Sequence, residues 1–157
     1  MDTNSKNILA FFVEKQRFAI YLHSVERVIR AQAITKITDS PLFIEGVIDY
    51  YGEIIAVINL RKRLGFQLNE LSISDRFIIV KTNSRKLALI VDEVEDVIIP
   101  DTKDLFDSKE IDAGMKFINI LRDDEGIVLV YDVEKLLSKT EEIDLDAILE
   151  SHVSLSS

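Results

Sequence analysis

GVIDYYGEIIAVINLRKRLG, residues 46–65, decides how this chain is read. Val47 and Ile48 form one apolar arm, and Ile54, Ile55, Val57 and Ile58 form another. Both arms are rich in β-branched residues, as pleated and partly buried strands require. Between them Tyr51-Gly52 predicts a tight turn, because glycine takes the positive φ that a two-residue hairpin loop needs. Gly46 and Gly52 are the expected turn-critical positions. Residues 59–63 then read as one helical turn, closed at Gly65 by a left-handed cap.

Outward from this hairpin the same grammar recurs. Strands are expected at 8–13 and 17–22, around a turn at 14–16. His23-Ser24 offers a cap for a turn at 25–27, and strand-like residues resume at 28–29 and 34–37 before Pro41 breaks the pattern. After a polar linker at 66–75, strands are predicted at 77–80, 87–91 and 94–99. A loop is expected at 101–113, followed by a hairpin over 115–130 that turns at 122–126. Asp132 caps a turn at 133–137. The segment EEIDLDAILE, 141–150, is acidic and weakly amphipathic through Ile143, Leu145, Ile148 and Leu149, which fits a terminal helix. SHVSLSS after it should fray.

FAIYLHSVERVIRA (18–31) aligns with LALIVDEVEDVIIP (87–100), so that Ala19/Ala88, Val25/Val94, Glu26/Glu95, Val28/Val97 and Ile29/Ile98 coincide. Gly46 then falls opposite Gly114, and residues 54–64 fall opposite 127–137 with a longer second hairpin. Two copies of a long unit exclude a solenoid. Regularly spaced short strands predict an all-β chain with short helical turns, a small barrel in each half, at about 7–65 and 76–137, and an acidic tail at 138–157.

The 157 residues suit one domain and bury about 70% of the unfolded surface without staples. No cysteine is present, which removes thiol nucleophiles, thiolate metal sites and disulfides. With 19 basic and 28 acidic side chains the net charge is −9, a field that disfavours nucleic acid and anionic membranes. MDTNSKN lacks signal-peptide character and no apolar run approaches a membrane span, so a soluble cytoplasmic chain is expected. His23 and His152 are isolated. Asp92, Glu93, Glu95 and Asp96 read as a solvated hairpin rather than a metal site. Asp123-Asp124-Glu125-Gly126 lacks the ligand alternation of a calcium loop and reads as a β-turn. Arg61-Lys62-Arg63 is too short a basic run for nucleic acid. No catalytic constellation, cofactor site or metal site is predicted, which leaves a surface that binds other proteins.

These segments together resemble the CheW-like chemotaxis coupling family over residues 7–137. FAIYLHSVERVIR, ITKITDSPLFIEGVI, the 46–65 stretch, RKLALIVDEVEDVI and VLVYDVEKLL each look like a family line. The resemblance implies two five-stranded SH3-like barrels packed on a shared core, without catalytic activity. It implies an adaptor that couples chemoreceptor signalling tips to the regulatory domain of a CheA-type histidine kinase. Such an adaptor is a cytoplasmic monomer, recruited to membrane-bound receptor arrays and able to join an array or ring. Val25, Arg27, Tyr51 and Gly52 become receptor-interface candidates, with Arg27 and Tyr51 expected as stacking neighbours. Ile34, Lys36 and Ile37 become kinase-interface candidates on an exposed aliphatic strand, with burial in the core as the alternative for both isoleucines.

The chain departs from the family where charge matters. Tyr51 stands where the family has an arginine, and Arg27 where it has a glutamate, a pair that in the family faces the receptor. Ala56 and Thr38 replace prolines, Asn59 an aspartate and Ala88 a glycine. Three readings follow: an adaptor between a chemoreceptor and a kinase, a CheW-like adaptor retuned for a pilus-type or paralogous array, or an unrelated SH3-like binding module or small enzyme.

Overall fold

The computed structural model describes residues 7–38, 40, 43–65, 74–107 and 117–156. Among the described residues eleven strands follow in order: β1 Ile8–Val13, β2 Gln16–Tyr21, β3 Val25–Arg30, β4 Ile44–Tyr50, β5 Glu53–Asn59, β6 Arg76–Lys81, β7 Lys86–Val91, β8 Glu93–Ile98, β9 Leu105–Asp107, β10 Phe117–Asp123 and β11 Gly126–Tyr131. Helix α1 is Leu60–Arg63 and α2 is Lys139–Ser156, with 3-10 turns at Leu22–Ser24, Thr102–Asp104 and Val133–Lys135. The all-β class with short helical turns is as expected. The strands form two sheets, ordered β3-β6-β7-β5-β4 and β8-β1-β2-β11-β10-β9.

The expectation of one barrel per half is corrected by this order. The five-stranded sheet (barrel 1) takes β3, β4 and β5 from the first half and β6 and β7 from the second. The six-stranded sheet (barrel 2) takes β1 and β2 from the first half and the rest from the second. The halves therefore exchange strands. Equivalent residues still occupy equivalent places: Val57 lies opposite Ala88 in the parallel β5/β7 pair, and Val130 opposite Ala19 in the parallel β11/β2 pair. Both alanines are fully buried, where a larger side chain would crowd the barrel interior.

β1 and β7 are apolar on both faces because each lies between a barrel interior and the core shared by the two barrels. Leu9, Phe11 and Val13 of β1, with Leu87, Leu89 and Val91 of β7, enter the core between the barrels. Their alternating neighbours, Ile8 and Ala10 or Ala88 and Ile90, fill barrel 2 and barrel 1 respectively. A strand buried on both faces loses the polar alternation of a surface strand.

Other differences are local. Residues 25–27 belong to β3, because pairing with β6 outweighs the weak helical cap, and only Leu22–Ser24 turns. The expected strand at 34–37 is a single bridge from Thr35 to Val47. Leu105–Asp107 is a strand, not a loop, and pairs with β10. Gly46 sits not in a turn but inside β4, where the register with β5 shifts. Its φ of 151° and the Thr35 carbonyl against its Cα leave no room for a β-carbon. The α2 helix runs into the segment expected to fray. Gly114, Met115 and most of the 66–75 linker lie outside the described residues.

Candidate functional site

The end of barrel 1 is built on the β4–β5 hairpin. Tyr50 pairs with Glu53, which leaves Tyr51 and Gly52 as the turn. Both have positive φ, 51° and 86°, the two-residue geometry whose twist matches the flanking strands. The Gly52 N–H donates to Asp49 Oδ1 at 2.8 Å and pins the loop. Glycine takes this backbone freely, whereas Tyr51 carries a cost of about 1–2 kcal/mol for its β-carbon. Tyr51 is 79% exposed.

Arg27, on the edge strand β3, holds the ring in place. Its Nη1 donates to the Tyr51 hydroxyl at 2.5 Å, and its guanidinium carbon lies 5.0 Å from the ring centroid. Tyr50 meets Tyr51 edge-on at 4.9 Å. Beneath them Tyr50 is buried, and its hydroxyl bonds the Glu26 carboxylate. Lys86 Nζ lies 3.2 Å from Glu26, 3.5 Å from Glu53 and 5.7 Å from the Tyr50 ring centroid. The Tyr50 bond and then Lys86 hold Glu26 below the usual carboxylate range, and the same Glu26 bond pushes Tyr50 up. Glu26, Tyr50 and Lys86 are not among the expected site residues; the repeat marks two of them, pairing Glu26 with Glu95 and basic Lys86 with basic Arg17, but sets Tyr50 opposite Asp123. Barrel 2 carries the counterpart: Arg17 bonds Glu95 at 3.0 Å and both oxygens of Asp123 at 2.8 and 3.0 Å. Asp124 stands where Tyr51 would, so the position equivalent to the tyrosine cap is acidic.

The remaining candidates separate. Gly52 is exposed beside Tyr51, while Val25 turns inward and packs on the inter-barrel core. Ile34 is half-buried against the barrel 1 interior and Ile37 against the inter-barrel core, so these two are not on an exposed aliphatic strand. Lys36 between them is exposed. Among the described residues no group of three or more histidine, aspartate or glutamate side chains could hold a metal ion. Of the acidic run, Asp92 and Glu95 are taken by Arg61 and Arg17. Asp123 Oδ1 accepts the Glu125 N–H at 2.9 Å, the turn expected there. No helix among the described residues is long and apolar enough to cross a membrane.

The sequence model of the CheW-like domain matches residues 7–141. The chain belongs to the CheW-like family. A chemotaxis protein CheW of Thermotoga maritima is 29% identical over 134 residues, covering 84% of this chain and 87% of that protein. The CheW of Bacillus subtilis is 26% identical over 137 residues, 85% of this chain and 88% of that one. The crystal structure of a scaffolding CheW protein from Thermoanaerobacter tengcongensis superposes with a TM-score of 0.79 at 29% identity, covering 87% of this chain and 95% of that one. The two barrels are thus a CheW-like fold.

Proposed function

We propose that this chain is a non-catalytic chemotaxis adaptor that couples a chemoreceptor signalling tip to the regulatory domain of a CheA-type kinase. The observation that carries this reading is the exposed Tyr51 ring, fixed by Arg27 and seated on Tyr50. An ordered aromatic on a rigid hairpin is a good protein anchor, since it offers wide contact area without much entropy to lose. Arg27, Tyr51 and Gly52 form the receptor-facing surface, and the anchor replaces the ion pair that the family resemblance places there. That replacement favours a receptor preference different from that of adaptors with the ion pair, as in a pilus-type or paralogous array. The kinase contact falls on residues 34–37 through Lys36 and the half-exposed flanks of Ile34 and Ile37. Lys36→Glu tests it without disturbing the core.

The receptor surface is tested by binding of the cognate receptor tip at low and high salt. Wild type, Tyr51→Ala, Arg27→Glu and the double change Arg27→Glu with Tyr51→Arg are compared. An anchor binds with little salt dependence, and Tyr51→Ala costs about 2 kcal/mol or more, roughly 30-fold. Binding by Tyr51→Ala equal to wild type, or binding by the double variant alone, rules the anchor out.

A further inference from the structure

The hairpin tips of β1–β2 and β6–β7 are equivalent in the repeat, with Glu14 aligned to Asn83. Each tip belongs to one barrel and is gripped from the short helical turn that follows a strand of the other, α1 after β5 and Val133–Lys135 after β11. At the first tip, Arg61 of α1 reaches out of barrel 1. Its Nε lies 3.3 Å from Glu14 Oε1, and its Nη2 bonds Asp92 and lies 3.1 Å from Asp75 Oδ1. Asp92 then accepts the Glu14 N–H at 2.7 Å. At the second tip, Glu134 of the Val133–Lys135 turn reaches out of barrel 2, and its two oxygens accept the Asn83 N–H at 3.1 and 3.0 Å. Arg61 and Glu134 are themselves equivalent in the repeat. The same backbone N–H at each tip is thus bonded to a carboxylate, through opposite chemistries.

The apolar surface between the barrels brings them together but is non-directional. Charge-assisted bonds are directional and fix register. We propose that Arg61 and Glu134 are paired latches that lock the two barrels in one orientation. Under the adaptor reading, on which this functional role rests, the latches set the angle at which receptor and kinase are presented, and Arg61 and Glu134 act as positioning residues.

The test uses the full chain without any partner, so failure of the adaptor reading cannot be mistaken for failure of the latches. The chain has no cysteine, so Arg30→Cys on barrel 1 and Glu125→Cys on barrel 2, both exposed, give one clean pair of spin labels. The inter-label distance distribution is measured by pulsed electron spin resonance in the labelled parent and with Arg61→Lys, Glu134→Ala or Lys62→Ala added. Lysine keeps the charge but not the fork that reaches several carboxylates at once. A single narrow peak is expected for the parent and for Lys62→Ala, with broadened or shifted peaks for Arg61→Lys and Glu134→Ala. A broad parent distribution overturns the proposal, as do parent-like peaks in both latch variants while thermal melts stay cooperative. Should Arg61→Lys fail to fold, Glu134→Ala, at an exposed site, decides alone.

Discussion

Arg61 lies in a four-residue helix, yet its guanidinium meets carboxylates from three separate segments. Its side chain is 5% exposed and that of Asp75 only 3%, so removing the cation strands a buried acid. Arg61→Met is expected to cost about 3–5 kcal/mol in urea melts. Lys62→Met, which breaks a less buried pair with Glu45 at 2.5 Å, should cost at most about 1 kcal/mol. Sequence alone shows one basic run at 61–63. Nothing in it tells that Arg61 turns inward, or that Arg63 lies over the Phe43 ring and donates to the Leu136 carbonyl. The acidic run was half legible: Glu93 and Asp96 are exposed, whereas Asp92 and Glu95 bind arginines from distant segments. Those arginines also set a pH dependence. The bidentate Arg17 bond holds the Asp123 carboxyl below its usual range. A carboxylate depressed on folding stabilises the fold above its unfolded pKa, and that share is lost as pH falls through the folded value. Asp123→Asn is therefore expected to lower stability at neutral pH and to flatten its decline below about pH 4, the ordinary aspartate range, in melts across that window.

At the scale of elements, the two glycines of the decisive hairpin do different work. Gly52 is at the tip with open space around it, so Gly52→Ala meets only the backbone penalty of about 1 kcal/mol. Gly46 lies under the 34–35 segment, where a β-carbon would run into the Thr35 carbonyl and come within 2.8 Å of Ile34 Cγ2. Gly46→Ala should cost clearly more, about 2–3 kcal/mol, in thermal melts of the two variants side by side. The turn was legible because Tyr-Gly between β-branched runs has few other readings. The bulge was not, since its cause is a strand-like segment eleven residues upstream. Asn119 holds the corresponding place in β10, opposite Val130 as Gly46 is opposite Val57, and its amide bonds the Tyr21 hydroxyl at 2.7 Å beside a cavity of about 310 Å³. Helix α2 docks chiefly through Leu145, which is 1% exposed, with Arg85 bonding Glu142 and Asp146. Leu145→Ala is expected to cost about 2–5 kcal/mol, while Ile143→Ala, 67% exposed on the same helix, should change stability by less than about 0.5 kcal/mol. The pattern in 141–150 marked a helix, but could not rank its apolar residues without knowing where the core lies.

Across the whole molecule, the repeat aligned Ala19 with Ala88 and Val57 with Val130 correctly, but it set Gly46 against Gly114 where Asn119 holds that place, and it misassigned which copy completes which barrel. Each half supplies strands that pair equally well within itself or with its twin, because Val57–Ala88 and Val130–Ala19 are the same pair in the alignment. A swap of this kind leaves the register unchanged, so only the connections between strands reveal it. The exchange has a mechanical result: the inter-barrel core is continuous from β1 through β7 to α1 and Leu145. An adaptor needs such rigidity to carry two partners at once on separate surfaces. The most direct measurement mixes the purified full chain with a receptor signalling tip and a CheA-type regulatory domain, and follows complex mass by light scattering after gel filtration. A ternary complex is expected, with each partner adding at the same affinity whether or not the other is present, and with Tyr51→Ala losing the receptor alone. Mutually exclusive binding, or a chain that takes up neither partner, would contradict the account.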